Sequence, residues 1–419
     1  MTDAFTSDLD AALDAARSAY VARNPGSAAA LERARRVMPG GNTRTSLWSD
    51  PFPLSVASGQ GCHIRDVDGH DYVDFLGEFT AGIFGHTAPA LAEAMARVHA
   101  EGINLSSHTP YEAALAERLV ARFPSMELLR FANSGTEANL MALTTARLVT
   151  GRPRVVVFQG GYHGGVLTFG HGNAPVNVPF DFAVLPYNDA GAARAEFAAH
   201  GPEIAAVLIE PMQGAGGCRA ADPQVLQLLR DLCTETGALL IFDEVQTARM
   251  SEGGAQARLG ITPDMTTIGK FFGGGLAFGA FGGRADIMNH FDPTRPDAIG
   301  HAGTFNNNRL TMAAGLAALD HYLTPKALDA LFARGEAFRA ALNARFDAAG
   351  GLFHVTGMGS IMNIHGTGPE AAKRLRLLHF RMQAEGYYFA ARGLIALSLP
   401  IGAAETDGFL DAIERVLAA

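Results

Sequence analysis

The sequence predicts an α/β protein with a mainly parallel sheet covered by helices on both faces, and two observations carry this. Beyond about residue 110, the short apolar runs LLRFANSG, RVVVFQGG, IAAVLIEP, ALLIFDEV and MTTIGK alternate with helix-length segments. Continuous apolar strands of this kind are those buried on both faces. The chain also has 419 residues, 48% hydrophobic and 18% charged, enough for a large core and two domains of unequal size.

Taken in order, the elements read as follows. The opening MTDAFTSDLDAALDAARSAY alternates acids with apolar residues at helical spacing and lacks the basic-then-apolar layout of a signal peptide. Residues 27–38 form a second short helix that stops at PGGN, and its RARR at 33–36 is the polar side of that amphipathic helix. LSVASGQGCHIRDVDGHDYVDF reads as a pair of strands, with Asp68-Gly69 as the hairpin signal. Beyond about 325 helices dominate until GYYFAARGLIALSLP. These shifts divide the chain into an N-terminal segment 1–70, a large domain 71–325 and a small C-terminal domain 326–419, which the N-terminal segment joins in space.

Composition removes several function classes. The formal charge of -9 and the absence of a basic stripe beyond RARR argue against nucleic acid. No run approaches the eighteen or so apolar residues of a membrane span. Cys62, Cys218 and Cys233 are odd in number and widely spaced, which suggests neither a disulfide framework nor a metal site. A reducing cytoplasm is the expected location.

In a parallel α/β sheet, ligands collect at the carboxyl ends of the strands, and four runs end in suggestive residues. RFANSGTEANLMAL passes from strand to helix through Ser134, Gly135 and Thr136; N–H groups at such a start can hold a phosphate, although a plain helix cap alone accounts for these residues. VVVFQGGYHGG offers Tyr162 and His163 after two glycines, so that a ring could stack on a planar cofactor or simply follow a glycine turn. Asp243 and Glu244 close the apolar run ALLIF, and a carboxylate beside such a core needs a partner. A protonated aromatic nitrogen or a Mg²⁺ ion would serve, but no Walker-type lysine loop precedes this Asp.

The fourth run ends at Lys270. The chain has only three lysines (Lys270, Lys326 and Lys373) against thirty arginines, so positions that need only a positive charge have been filled with Arg. Arginine cannot lose its proton, whereas a buried lysine can become a neutral, nucleophilic amine able to form a Schiff base. Lys326 and Lys373 sit among charged, helix-like residues and read as solvated. The glycines at 273–275 give packing room and do not follow a nucleotide-loop pattern.

Together NSGTEAN, GGYHGG, EPMQG, FDEVQT, TIGKFFGGG and GTFNNN, in this order over about residues 30 to 400, resemble the class III aminotransferases, pyridoxal phosphate (PLP) enzymes of fold type I. Within them the sequence is most like the β-amino acid (β-phenylalanine) aminotransferases of the branch that contains glutamate-1-semialdehyde aminomutases. The resemblance implies a large domain with a mainly parallel seven-stranded sheet and a small α+β domain from the N- and C-terminal segments. It also implies a homodimer with active sites at the subunit interface. Lys270 would hold PLP and later shuttle a proton, and Asp243 would pair with the pyridinium nitrogen. Ser134, Gly135 and Thr136 would bind the phosphate, with Thr304 reaching the neighbouring subunit's phosphate. Tyr162 would stack on one ring face, Val245 would press on the other, and Gln246 would approach the phenolic oxygen. Glu210 and His163 would support these groups without touching the cofactor.

Substrate choice rests on Arg44, in MPGGNTRTSLW, and Arg392, in FAARGLIALSLP. Guanidinium groups fix carboxylates by paired hydrogen bonds, and in the β-amino acid branch the corresponding arginines grip substrate carboxylates. Aminomutases of this kind typically read PGGVNSPVR and GTLSGNP where this chain has PGGNTRTS and GTFNNNR. The implied activity is transfer of the amino group of an aromatic β-amino acid of the 3-amino-3-phenylpropionate type to 2-oxoglutarate or pyruvate. The alternatives are an aminomutase-like enzyme, an amine:pyruvate transaminase and a non-catalytic PLP-fold binding protein; retention of both Lys270 and Asp243 argues against the last.

Overall fold

The computed structural model describes Phe5 and residues 8–418. These fall into two compact units, one spanning Pro89–Phe332 and the other built from the chain up to Ala88 and from Ala333 onward. The boundaries lie 18 and 7 residues beyond those read from the sequence. Strand β3 (Asp71–Asp74) pairs with β2 (His63–Asp66), which holds residues just past 70 in the terminal unit. At the other boundary, Asp329 is ion-paired with Arg258 at 3.1 Å and Phe332 lies 3.7 Å below the same guanidinium, which keeps 326–332 with the central unit.

In the terminal unit the helices Leu9–Arg23 and Pro25–Arg35 come first. The second starts at its proline, an N-terminal position where the missing N–H costs nothing, and ends before Pro39. The stretch read as a strand pair holds three strands. Strand β1 (Val56–Gln60) turns at Gly61 into β2, and Asp68-Gly69 then turns β2 into β3. The sequence reading missed the first turn because Gln60-Gly61 is not one of the strong hairpin pairs.

The large sheet of the central unit has seven strands: β4 (Leu128–Ala132), β5 (Arg154–Phe158), β6 (Asp181–Leu185), β7 (Ile204–Ile209), β10 (Leu239–Asp243), β11 (Met265–Gly269) and β12 (Gly279–Gly283). The short strands β8 (Met212–Gln213) and β9 (Arg219–Ala220) pair separately. The sheet order is β4-β12-β11-β10-β7-β5-β6, with only β12 antiparallel to its neighbours. Alternate residues explain why its runs read as continuously apolar. Val156, Phe158, Leu240 and Phe242 face a core shared with Phe197, Leu226 and Leu229. Val155, Val157, Leu239 and Ile241 face another shared with Ala138, Ala142 and Leu143. Edge strand β6 lies outside the sequence reading because the long segment between it and β5 forms no helix.

Downstream, the terminal unit resumes with the hairpin of β13 (Phe353–Met358) and β14 (Ile361–Gly366), joined by β16 (Leu394–Ala396), while β15 (Tyr387–Tyr388) extends the first sheet beside β3. That hairpin is absent from the helical reading of this region. Phe75, Phe338 and Phe409 form the aromatic centre of the unit, with ring centroids 4.6 to 5.7 Å apart. Among the described residues, no helix is long and apolar enough to cross a membrane.

Candidate active site

Because β12 alone runs backwards, β4, β5, β7, β10 and β11 present their carboxyl ends on one side of the central unit. At those ends or shortly after them stand Ser134, Tyr162, Glu210, Asp243 and Lys270. Ala132, Gly279 and Gly269 stand in register across the last row of β4, β12 and β11. Gly279 is required there, since a Cβ would overlap the Ser134 carbonyl oxygen.

Ser134 caps the helix Gly135–Thr150, its hydroxyl accepting from the Glu137 N–H at 3.1 Å while its carbonyl accepts from the Ala138 N–H at 3.0 Å. The first N–H groups of a helix have no intrahelical partner, so those of Gly135 and Thr136 remain for a ligand. Gly164, at φ 127°, faces the Thr136 hydroxyl so closely that a Cβ would collide with it. This leaves a narrow, glycine-walled cradle at the positive end of a helix, suited to an anion.

Asp243 is 4% exposed and its acceptors are shared out. Oδ1 accepts from the Val245 N–H at 3.0 Å; Oδ2 meets His163 Nδ1 at 2.8 Å and accepts from Asn139 Nδ2 at 2.8 Å. For His163 burial pulls the imidazole pKa down, but the hydrogen bond and charge of Asp243 outweigh it, and the net shift is upward. Glu210 lies behind, its carboxylate accepting from the N–H groups of Tyr162 at 3.0 Å and Gly214 at 3.1 Å. Burial nevertheless pushes its pKa up to about 7.

The two adjacent carboxylates of FDEV part company here. Glu244 is fully buried and accepts from the N–H groups of Ala255 and Gln256 and the hydroxyl of Thr247, at 2.7 to 2.9 Å. It ties a loop together, and burial raises its pKa. Lys270 follows Gly269 in the left-handed region at φ 56°, a conformation that costs a non-glycine residue about 1–2 kcal/mol and that concentrates at functional positions. Its side chain is half-buried, whereas Lys326 is exposed and Lys373 forms exposed ion pairs with Asp10 and Glu370.

Other expected residues fall around this cluster. Val245 packs on the cradle, its Cγ2 standing 2.8 Å from where a Gly135 Cβ would be. Tyr162 is 46% exposed, free to offer a ring face. Gln246 lies tight against Gly214, and its buried Oε1 has no hydrogen-bond partner among the described residues. Thr304 is exposed in a turn, and the same segment reaches the cradle through Asn306, whose Oδ1 accepts from Asn133 Nδ2 at 2.9 Å.

These features fit PLP: open donors for a phosphate, a buried anion for a ring nitrogen, an orphan amide for a ring substituent and a lysine at a strand end. Asn139, Thr267 and Asn306 lie inside NSGTEAN, TIGKFFGGG and GTFNNN but carry no role in the sequence reading, because a motif does not say which side chains meet Asp243 or the cradle in space.

Arg44 and Arg392 belong to the terminal unit. Arg44 is ion-paired with Glu78, and its guanidinium carbon lies 5.2 Å from the centre of the Phe79 ring. Glu78, Phe79 and Thr80 are consecutive non-glycine residues at φ 48°, 51° and 80°. Arg392 is exposed, its carbonyl accepting from Asn363 Nδ2 at 3.1 Å.

Comparison with known proteins gives the family. Residues 45–417 match the family model for class-III aminotransferases. The β-phenylalanine transaminase of Variovorax paradoxus is 51% identical over 415 residues, which cover 97% of this chain and 95% of that protein. A solved β-phenylalanine aminotransferase structure from the same organism superposes with a TM-score of 0.96 at 49% identity, covering 98% and 97% of the two chains. A glutamate-1-semialdehyde 2,1-aminomutase of Sorangium cellulosum is 38% identical over 425 residues, or 95% of each chain. The protein belongs to the class-III aminotransferases, PLP-dependent fold type I enzymes that move an amino group from a donor to a keto acid.

Proposed function

We propose that this aminotransferase takes its amino group from a β-amino acid with an aromatic or bulky apolar 3-substituent and passes it to 2-oxoglutarate or pyruvate. The observation that carries the reading is the 51% identity to a β-phenylalanine transaminase over nearly the whole chain. When bound, PLP supplies an electron sink for the electron pair left on the amine-bearing carbon.

The chain's own residues do the rest. The Lys270 amine would anchor the cofactor, and the same amine would hold and move the proton of the amine-bearing carbon. The Asp243 carboxylate accepts the ring N–H and keeps that nitrogen protonated. Gly135 and Thr136 N–H groups and the Ser134 hydroxyl hold the phosphate. Tyr162 and Val245 would hold the ring from its two faces, and Gln246 would meet its phenolic oxygen. Thr304 serves the phosphate of a second subunit in a homodimer. Arg44 and Arg392 clamp carboxylates, so that one pocket accepts a β-amino acid in one half-reaction and a dicarboxylic or short keto acid in the other. The enzyme works in the cytoplasm.

A panel of β-amino acids, α-amino acids and simple amines, each tried with pyruvate and 2-oxoglutarate, tests this. The expected outcome is preferential consumption of 3-amino-3-phenylpropionate with equimolar alanine or glutamate. Isomerisation without a keto acid would replace the reading with an aminomutase, and equal turnover of simple amines with an amine:pyruvate transaminase.

A further inference from the structure

We propose that Asn139 is a positioning residue that locks the Asp243 carboxylate to the strand bearing Lys270. The inference rests on the assignment of Asp243 as partner of the cofactor's ring nitrogen. Asn139 lies in the first turns of the helix Gly135–Thr150, whose start forms the cradle, and is 1% exposed.

Its amide spans three segments. Nδ2 donates one hydrogen to Asp243 Oδ2 at 2.8 Å and the other to the His163 carbonyl at 3.0 Å. Oδ1 accepts from the Thr267 hydroxyl at 2.6 Å. The three contacts fix the amide's orientation, because the opposite one would set its oxygen against a carboxylate and a carbonyl. Thr267 stands directly beside Asp243 in the β10–β11 register, three residues before Lys270.

Two donors on one oxygen do what one cannot. With only His163 there and the Val245 N–H on Oδ1, Oδ2 would rest on a single donor and follow the imidazole as its loop moves. With Asn139 as well, Oδ2 is pinned between a loop and a helix, and Oδ1 is left with the Val245 N–H and a free lone pair for the cofactor. Through Thr267 the same amide ties that carboxylate to β11, so the acid and the amine move as one body. The titratable groups around it are Asp243 and His163 at hydrogen-bonding distance, with Glu210 acting on both through its charge.

Three variants of the purified holoenzyme test this. Asn139→Leu removes all three bonds, and Thr267→Val removes only the link to β11 with little change of shape. Asn139→Asp sets a second carboxyl against Asp243, which can donate its proton at low pH and repels once ionised. Cofactor dissociation constant, the visible absorbance of the Lys270-bound cofactor against pH, and single-turnover rates are read. Asn139→Leu should weaken cofactor binding about tenfold or more, with lower kcat and little change in donor KM. Thr267→Val should shift the same quantities in the same direction by less. Asn139→Asp should approach the parent affinity and spectrum at low pH and lose both as pH rises, a signature that a merely structural amide would not give. Folded Asn139→Leu and Thr267→Val proteins with parent affinity and spectra would overturn the inference. Asp243→Asn separates the two claims: if it too leaves affinity and spectrum unchanged, the assignment of Asp243 fails; if it alone disrupts them, only the role of Asn139 fails.

Discussion

The surroundings of Asp243 and those of Arg44 differ in almost every physical respect. Asp243 is buried, and three groups from three segments hold its two oxygens; each hydrogen bond to a charged group of this kind is worth about 1.5–3 kcal/mol. Arg44 and Glu78 have side chains 46% and 61% exposed, and such a pair contributes about 0.2–1 kcal/mol and is screened by salt. The buried anion therefore has one geometry, whereas the arginine is held by a partner that any arriving carboxylate can displace. On the proposed assignment, chemistry common to every substrate would sit where rearrangement is expensive, and substrate choice where it is cheap.

Breaking the rigid side should give the largest effect. Lys270→Ala is expected to lower the single-turnover rate by about a thousandfold or more, as measured by keto acid release from 3-amino-3-phenylpropionate; a parent-like rate would remove the amine from the mechanism. On the exposed side, Arg44→Ala should raise KM for that donor about ten- to a hundredfold while kcat changes less, the pattern of a lost carboxylate clamp. Unchanged KM would remove Arg44 from substrate binding.

The contrast sharpens with Glu78→Gln. Freed from its internal carboxylate, Arg44 should bind the donor up to about fivefold better at low salt, the equivalent of about 1 kcal/mol, and the advantage should shrink as ionic strength rises. A change at Asp243 should show no such salt dependence. The smallest effect expected is on stability. Glu210 has a folded pKa of about 7, above its unfolded value, and the His163 pKa is also raised. Each favours the fold in its protonated form, so that the stability these two groups contribute is fullest below about pH 4.5 and is lost as pH rises through 7. The thermal midpoint of cofactor-free protein should fall by a few degrees, at about 2–4 °C per kcal/mol, between mildly acidic and mildly alkaline pH. Glu210→Gln should flatten that slope, whatever its effect on absolute stability.

Much of this layout was legible in the sequence, for identifiable reasons. Lys270 stood out because so few lysines share the chain with it, and Asp243 because a carboxylate at the end of an apolar strand demands a partner. The residues alone left Asp243 and Glu244 open, and the resemblance picked Asp243: neighbouring strand residues point to opposite faces, and nothing in FDEV says which face a helix covers. Asn139 was hidden because its task depends on the register that sets Thr267 beside Asp243. The left-handed run at Glu78, Phe79 and Thr80 was equally hidden, since none of these residues is one that favours such a backbone. Strand β6 and the β13–β14 hairpin escaped because neither follows the strand-then-helix rhythm that revealed the rest.

The reversed strand β12 has one more consequence. By lying between β4 and β11, it sets the ends of those strands two strand spacings apart, about 10 Å, with the buried acid about 5 Å further along on β10, and the chain leaving β4 crosses that gap over Gly279 so that the Gly135 N–H comes within 3.4 Å of where a Gly269 Cβ would stand. That ruler is graduated by peptide hydrogen bonds and not by side chains. Substitutions in a substrate pocket can be made freely without recalibrating it, whereas a change at Gly279, where the graduation itself is cut, would move the cradle relative to the amine and spoil the fit for every substrate alike.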